Sequence, residues 1–336
     1  MIKEIFSFDF KLYFKKNALA VEINDSSVTV VSLIQKNGAF YFDTFGNWPL
    51  PPGLVEKGKI KNYQAFSLFF KKALKKIRGR SPFDRPAIIS IPEEVFFSRV
   101  THIAQVPLKS SDPNKIIEKE IEDHFPLYPD EVYYDYSPID NNLKEHNDIF
   151  LAASPKNIIN QYLNILKEAS LIPFIIEGES LAISRAILKF CGFEIQKPTL
   201  IIDIADYKIT LIIYFGKAPR FTAILPMPFI LRQSTESRKK KFISAFNKEA
   251  EENFLNEIEK YLAFYEAHPL HEHLKNKAVS KIILSGARTD LTTYLSPLLA
   301  KRVGVSVEIS QVNGILHSSG VAQISTVAAG LALRAI

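Results

Sequence analysis

Hydrophobic positions run along the chain in short blocks that switch between a period of two and helical spacing, which predicts a mixed α/β fold. Val21, Ile23, Val28, Val30 and Leu33 flank Asn24-Asp25-Ser26-Ser27, a polar turn between two β-branched runs, so residues 19–34 read as a hairpin. A third strand, 39–47, alternates aromatic and polar side chains before prolines break the chain at 49–53. Phe66, Phe69, Phe70 and Leu74 recur at helical spacing within 62–77, and 87–92 is a buried strand bounded by prolines. From residue 96 the order is strand (96–106), helix (114–124, opened by Ser111, Asp112 and Pro113), strands (132–139 and 149–153) and helix (157–169). This is a βαββα unit, with 172–176 as a candidate closing strand.

An apolar helix over 179–190 leads to a second hairpin, 200–204 and 209–215, and an extended 221–226. Helix 241–266, strand 281–284, helix 291–303, strand 305–309 and a last apolar helix, 321–336, complete the series. Both halves open with a hairpin around a polar turn. That shared opening predicts an internally duplicated fold, although no residue-level repeat accompanies it.

With 336 residues, 47% hydrophobic and 23% charged, the chain has the composition of an ordinary folded protein and the length for two cores. Its single cysteine, Cys191, sits in an apolar helical stretch, excludes an intrachain disulfide and reads as a buried thiol in a reducing compartment. No segment reaches the ~18 apolar residues of a membrane span, since even 200–215 is interrupted by Asp203, Asp206 and Lys208. The first 16 residues interleave Phe6, Phe8, Phe10 and Phe14 with Lys3, Lys11, Lys15 and Lys16, a pattern open to an anionic membrane surface or to a plain edge strand. Glu4, Asp9 and the missing cleavage site argue against a signal peptide. A net charge of +6 with scattered basic residues gives no nucleic-acid signature, and the run Arg238 to Lys241 reads as a solvated loop.

Several stretches, in this order and spacing, carry a family resemblance. They are Ala20 to Val31, Leu54 to Ile60, the stretch with Glu120, Pro126, Glu131, Val132 and Asp135, Ala152 to Lys156, Ala169 to Pro173, Thr199 to Ala205, Glu257 to Lys260 with Phe264 and Tyr265, Ile282 to Gly286, and Ala329 to Arg334. Together they resemble the PilM family of type IV pilus assembly proteins, within the actin, sugar-kinase and heat-shock-chaperone superfamily. The resemblance implies an actin-like (ribonuclease-H-like) duplicated two-lobe α/β fold with the βαββα unit as an extra subdomain on the first lobe, shared with the division protein FtsA. It divides the chain into a first lobe (1–99 and 174–195), the inserted subdomain (100–173), a second lobe (196–235 and 279–336) and a helical subdomain (236–278). Related type II secretion proteins continue into a transmembrane helix and FtsA into an amphipathic tail, and neither pattern follows here before Ile336.

In that superfamily two hairpin turns grip the phosphates of ATP with Mg2+, an aspartate near each turn orienting metal-bound water and a glycine letting the backbone approach. The corresponding turns here are altered. Glu22 stands for the first aspartate, Asn24 for the glycine, with Asp25 and Ser26 completing the turn, and Thr29 occupies the place of a common lysine. In the second turn Asp203 is retained, Ala205 replaces glycine, and Lys208 adds a charge that either meets a phosphate or faces solvent. The ribose and adenine element reads Gly286-Ala287, one glycine of the pair being lost, and Glu257 with Lys260 match either the purine-flanking helix or an intrahelical ion pair. ATP binding is therefore expected to be weak and hydrolysis decayed.

Other chemistry finds less support. His268, His271 and His273 have no spacing for a metal site, Ser285-Gly286 lacks a nucleophile elbow, and Glu177 and Glu179 read as solvent-facing acids at a helix start. The favoured function is a cytoplasmic adaptor, peripheral on the inner membrane, that holds the cytoplasmic leader of a PilN-like bitopic membrane protein and connects it to the pilus motor ATPases. An active, self-associating ATPase and a small-molecule kinase are the alternatives. The partner's extended leader is expected where the βαββα unit meets the first lobe, with Phe96, Phe97, Tyr133 and Tyr134 as apolar contacts; strand alternation leaves roughly half of these in the core.

Overall fold

The computed structural model describes residues 18–104, 113–139, 146–191, 197–205, 207–227, 248–268, 277–286, 289–310, 312, 316–317 and 324–336. The expectations for the first 17 residues, the Arg238 to Lys241 run, Ala287, His271, His273 and the side chain of Cys191 lie outside the described residues.

Alternation of side chains along the strands sorts the chain into layers. Strands β1 (Leu19–Ile23), β2 (Ser27–Lys36) and β3 (Ala39–Pro49) form an antiparallel meander, and β7 (Pro86–Ile91) and β11 (Ile172–Gly178) add to it in parallel, giving the order β11-β7-β1-β2-β3. Between β3 and β7 lie the short hairpin β4 (Val55–Glu56) and β5 (Lys59–Ile60), helix α1 (Tyr63–Leu74) and a two-residue strand β6 (Arg78–Gly79). In the second half β12 (Thr199–Ile204), β13 (Lys208–Phe215), β14 (Ala218–Pro226), β15 (Lys281–Gly286) and β16 (Ser306–Ile309) give the order β16-β15-β12-β13-β14 with the same senses. The expected duplication is thus present strand for strand.

Two helices separate the sheets. α4 (Glu179–Cys191) and α7 (Thr326–Arg334) share one cluster with Ala20, Val31 and Ile88 of the first sheet and Ile201, Ile212 and Ile283 of the second. The opposite face of the first sheet, with Val21, Val30 and Ile89, packs on Phe66 and Phe70 of α1 and on Tyr162 and Ile165 of α3 (Lys156–Glu168). The opposite face of the second, with Ile202, Leu211 and Leu284, packs on α5 (Lys248–Ala267) and α6 (Thr289–Val303). α7, expected at 321–336 within the second lobe, starts only at the Ser325 N-cap and packs on β1, β2, β7 and α4, while β17 (Leu316–His317) pairs with β3. Residue 330 must be glycine there, because a Cβ would stand 1.8 Å from the Ala182 carbonyl oxygen.

The inserted unit is β8 (Phe97–Ala104), α2 (Pro113–His124), β9 (Val132–Ile139), β10 (His146–Pro155) and α3, with strand order β8-β10-β9. One face of this sheet meets Ile117 and Ile121 of α2; the other, with Val100, Phe150 and Ala152, joins the core of the first lobe. The candidate closing strand 172–176 does not belong to it: as β11 it pairs with β7, where Ile175 and Ile176 are buried in the main sheet.

Candidate functional site

Where the superfamily would seat a nucleotide, between the two hairpin turns, polar groups of this chain satisfy one another. Asn24 Oδ1 accepts the backbone N–H of Ser26 (2.9 Å) and Ser27 (2.8 Å) and the Ser26 hydroxyl (3.0 Å), an Asx-type turn that engages donors a phosphate would need. Asp25 turns outward and accepts from the amide N–H of Lys57 (2.8 Å) and Gly58 (3.4 Å). The second turn closes on itself through the Ala205 N–H and the Lys208 carbonyl, 3.0 Å.

Alternation directs Glu22 and Asp203 into the helical middle layer, toward the start of α7. Glu22 is buried; its carboxylate accepts from the Ser325 hydroxyl and from Asn24 Nδ2 (3.2 Å). Burial pushes its pKa up to about 7, against the pull of Ser325 and Asn24 and reinforced by Glu179 and Asp203. Asp203 is also raised by burial, opposed by the hydroxyls of Thr326 and Ser285 and by Lys208, and its Oδ1 has no hydrogen-bond partner. Ser285 and Thr326 share a 2.7 Å hydrogen bond, so the N-terminus of α7 occupies the space between the two acids.

Lys208 neither reaches into an open phosphate site nor faces solvent. Its side chain is 5% exposed and its Nζ donates to Glu94 (2.8 Å) and Glu179 (2.5 Å). Burial opposes the charge, but Glu179 and Glu94 outweigh it and hold the ammonium well above the usual lysine range. Glu179 in turn accepts the Glu93 N–H (3.3 Å), and Glu93 accepts the Ser180 N–H (2.7 Å) with its own pKa raised by burial to about 7. Glu22, Glu93, Glu94, Glu179 and Asp203 thus gather around a single described lysine. A triphosphate would enter beside carboxylates whose cation is already engaged.

Glu177 and Glu179, expected to face solvent, are both buried. Glu177 lies between Arg185 (2.5 Å) and Arg334 (2.7 Å); burial disfavours its charge, but the two guanidinium groups hold its pKa below the usual range. Arg185 comes from the following helix, eight residues on, and Arg334 from 157 residues away, a pairing no local pattern shows. Gly286 adopts φ +120°, and a Cβ would stand 2.1 Å from the Ile204 carbonyl oxygen, so strand packing alone requires glycine there. Glu257 and Lys260 form an exposed i,i+3 pair at 3.2 Å on α5.

The four aromatic residues expected at the partner groove separate. Phe96 is core, its ring against Gly178 where a Cβ would come within 2.3 Å. The Phe97 ring lies 6.2 Å from that of Phe125, tilted by 39°, and lines a cleft facing the second lobe. Tyr133 packs toward the first lobe beneath Lys156, whereas Tyr134 packs toward α2 and donates to Glu118 (3.2 Å). The seam between insert and first lobe is instead lined by Phe96, Asp135, Tyr136, Phe150, Ile176 and Leu181, around a void of about 20 Å3. It lies between the outer edges of β9 and β11, each paired on one side only among the described residues.

The family model described as "Type IV pilus assembly protein PilM" matches residues 20–219. Among solved structures, the "PilM-PilN type IV pilus biogenesis complex" superposes with a TM-score of 0.76 at 20% identity, covering 95% of this chain and 98% of that one. The ethanolamine utilization protein EutJ from Carboxydothermus hydrogenoformans gives 0.47 at 11% identity over 94% and 88% of the chains. The cytoplasmic domain of EpsL, an inner-membrane component of the Vibrio cholerae type II secretion system, gives 0.42 at 7% over 80% and 81%. No curated protein matches by sequence. The fold is actin-like, and no helix among the described residues is long and apolar enough to cross a membrane.

Proposed function

Because this chain belongs to the type IV pilus assembly protein PilM family, we propose that it is an assembly adaptor that holds the cytoplasmic leader of a PilN-like membrane protein at the seam between the insert and the first lobe. The observation that carries this reading is the pairing of two one-sided strand edges, β9 and β11, across an aromatic-lined seam. An extended leader adds to such an edge through backbone hydrogen bonds while alternate side chains enter the seam. With a void of about 20 Å3 the seam holds roughly one water, so the leader must lie along the edge or part the insert from β11.

In this reading the protein is peripheral on the cytoplasmic face of the inner membrane and joins the pilus platform to its motor ATPases. It does not depend on ATP turnover. The Asn24-capped turn, the engaged Lys208 and the acid-lined cleft all favour an actin-like body held closed by its own side chains.

The test is titration of a fluorescent synthetic peptide of the PilN-like leader against the full chain and its Tyr133→Ala, Tyr136→Ala, Phe97→Ala and Tyr134→Ala variants. Loss of affinity confined to Tyr136, the one of these four side chains that lines the seam, is expected. Equal affinity in all four removes the leader from this seam.

A further inference from the structure

A second cleft, of about 320 Å3, opens on the other side of the insert, between residues 97–99 of β8 and residues 222–224 of β14, with His124 and Phe125 at the end of α2. Both strands are edges: among the described residues β8 pairs only with β10, and β14 only with β13. They run in opposite directions and are tied at one end. Asp148, opposite His102 in the β10 to β8 register, accepts from Arg220 of β14 (3.1 Å) and lies 2.5 Å from His102 Nδ1. The cleft lies beyond that tie, with residues 97–99 on one side and 222–224 on the other. Its volume suits a few residues of extended chain, at the lower end of the ~300–1,000 Å3 of ligand sites.

Charge selects the occupant. Arg99 has its Nε buried without a hydrogen-bond partner, and Glu120, whose charge it feels, is engaged by Thr101 (2.5 Å) and His124 (3.5 Å). His268, at the end of α5, lies close enough to Arg99 and His124 for their charges to add to burial in lowering its pKa. Glu93, the acid within the cleft lining, is engaged with the Ser180 N–H. A buried guanidinium nitrogen left without an acceptor is costly, and a carboxylate is its natural complement. Phe97 and Arg99 are two residues apart on one strand and therefore share a face. A strand added to β8 puts residues with the same spacing opposite them.

We propose that this cleft binds an extended peptide carrying an acidic residue two positions from an apolar one, its carboxylate on Arg99 and its apolar side chain against Phe97 and Phe125. Buried Phe96 stands between it and the β9 to β11 seam and lines both, and the proposal goes beyond the leader-binding role.

The probe is a fluorescein-labelled, end-capped heptapeptide, Ser-Thr-Val-Thr-Glu-Thr-Ser, titrated by anisotropy into the full chain. Saturable binding is expected, weakened about tenfold or more when the peptide glutamate becomes glutamine and to a similar degree by Arg99→Gln, the range of a hydrogen bond to a charged group. Should Arg99→Gln fail to fold, Ala223→Trp, which fills the cleft from β14, must abolish binding instead. Equal affinity of the glutamate and glutamine peptides, binding that survives both variants, or no binding at millimolar peptide overturns the proposal. So does displacement of the peptide by equimolar inorganic phosphate or acetate, which would mark a simple anion site.

Discussion

Replacing Lys208 with methionine keeps most of its stem and removes the only described cation between Glu94 and Glu179. In the native protein the ammonium lies 2.8 Å from one carboxylate and 2.5 Å from the other, with Glu179 2% and Glu94 17% exposed. Glu94 can rehydrate, but Glu179 cannot. Removing one member of a buried pair costs roughly 3–5 kcal/mol, chiefly because the remaining charge is stranded. Glu179 escapes by taking up a proton, so the cost depends on pH. Its folded pKa is already raised by burial and rises further without Lys208, so the variant binds this proton when folded and releases it on unfolding through the ordinary range near ~4.5. The variant's deficit is therefore small at low pH and grows as pH rises. Urea unfolding at pH 5.5 and pH 8 measures it: at pH 8 a midpoint loss of about 1 M or more is expected for a slope near 3 kcal/mol/M, shrinking at pH 5.5. The double variant Lys208→Met with Glu179→Gln should recover most of the loss. A deficit below about 1 kcal/mol at pH 8, or one of equal size at both pH values, refutes the argument that a stranded carboxylate sets the cost.

Glu22→Gln should leave stability near pH 4 unchanged and raise it at pH 8. The carboxyl, pushed up to about 7 in the folded state, gives stability that is complete below ~4.5 and lost as pH rises through 7; thermal melts at the two pH values check the sign. Gly286→Ala should cost more than about 2 kcal/mol, because its Cβ meets the Ile204 carbonyl oxygen, and denaturant unfolding without any nucleotide reads it. The purified chain should release phosphate from ATP with Mg2+ no faster than buffer; steady turnover that Asp203→Ala abolishes would show that the altered turns still work.

How much of this was legible in the sequence depended on the range of the interaction. Both hairpins could be read because β-branched runs flank polar turns, and the duplication because the same order of elements recurs. The allegiance of 172–176 could not, since an apolar run after a helix does not say which sheet it joins; parallel pairing with β7 decided it. Glu177 and Glu179 read as exposed because acids at a helix start usually are, while the cations that bury them come from Arg334, 157 residues away, and Lys208, 29 residues away. Glu93 and Glu94 carried an unused signal. They follow Pro92 after the buried strand ending at Ile91, at the carboxyl end where α/β sheets place their sites. The place of the seam, where the insert meets the first lobe, could be named from the order of elements, but most of its lining and the Arg99 cleft could not, because each is built from edges of different sheets.

The hydrogen bond from Ser325 to Glu22 spans 303 residues, which sets a timetable for biosynthesis. At ~5–20 residues per second on the ribosome, β1 is made about 15–60 s before the helix that covers its middle-layer face. During that interval Ala20, Val31 and Ile88 have no α7 to lie against, and the first sheet cannot complete its core however good its own hairpin is. Nascent chains of this protein must therefore expose an apolar sheet face for tens of seconds.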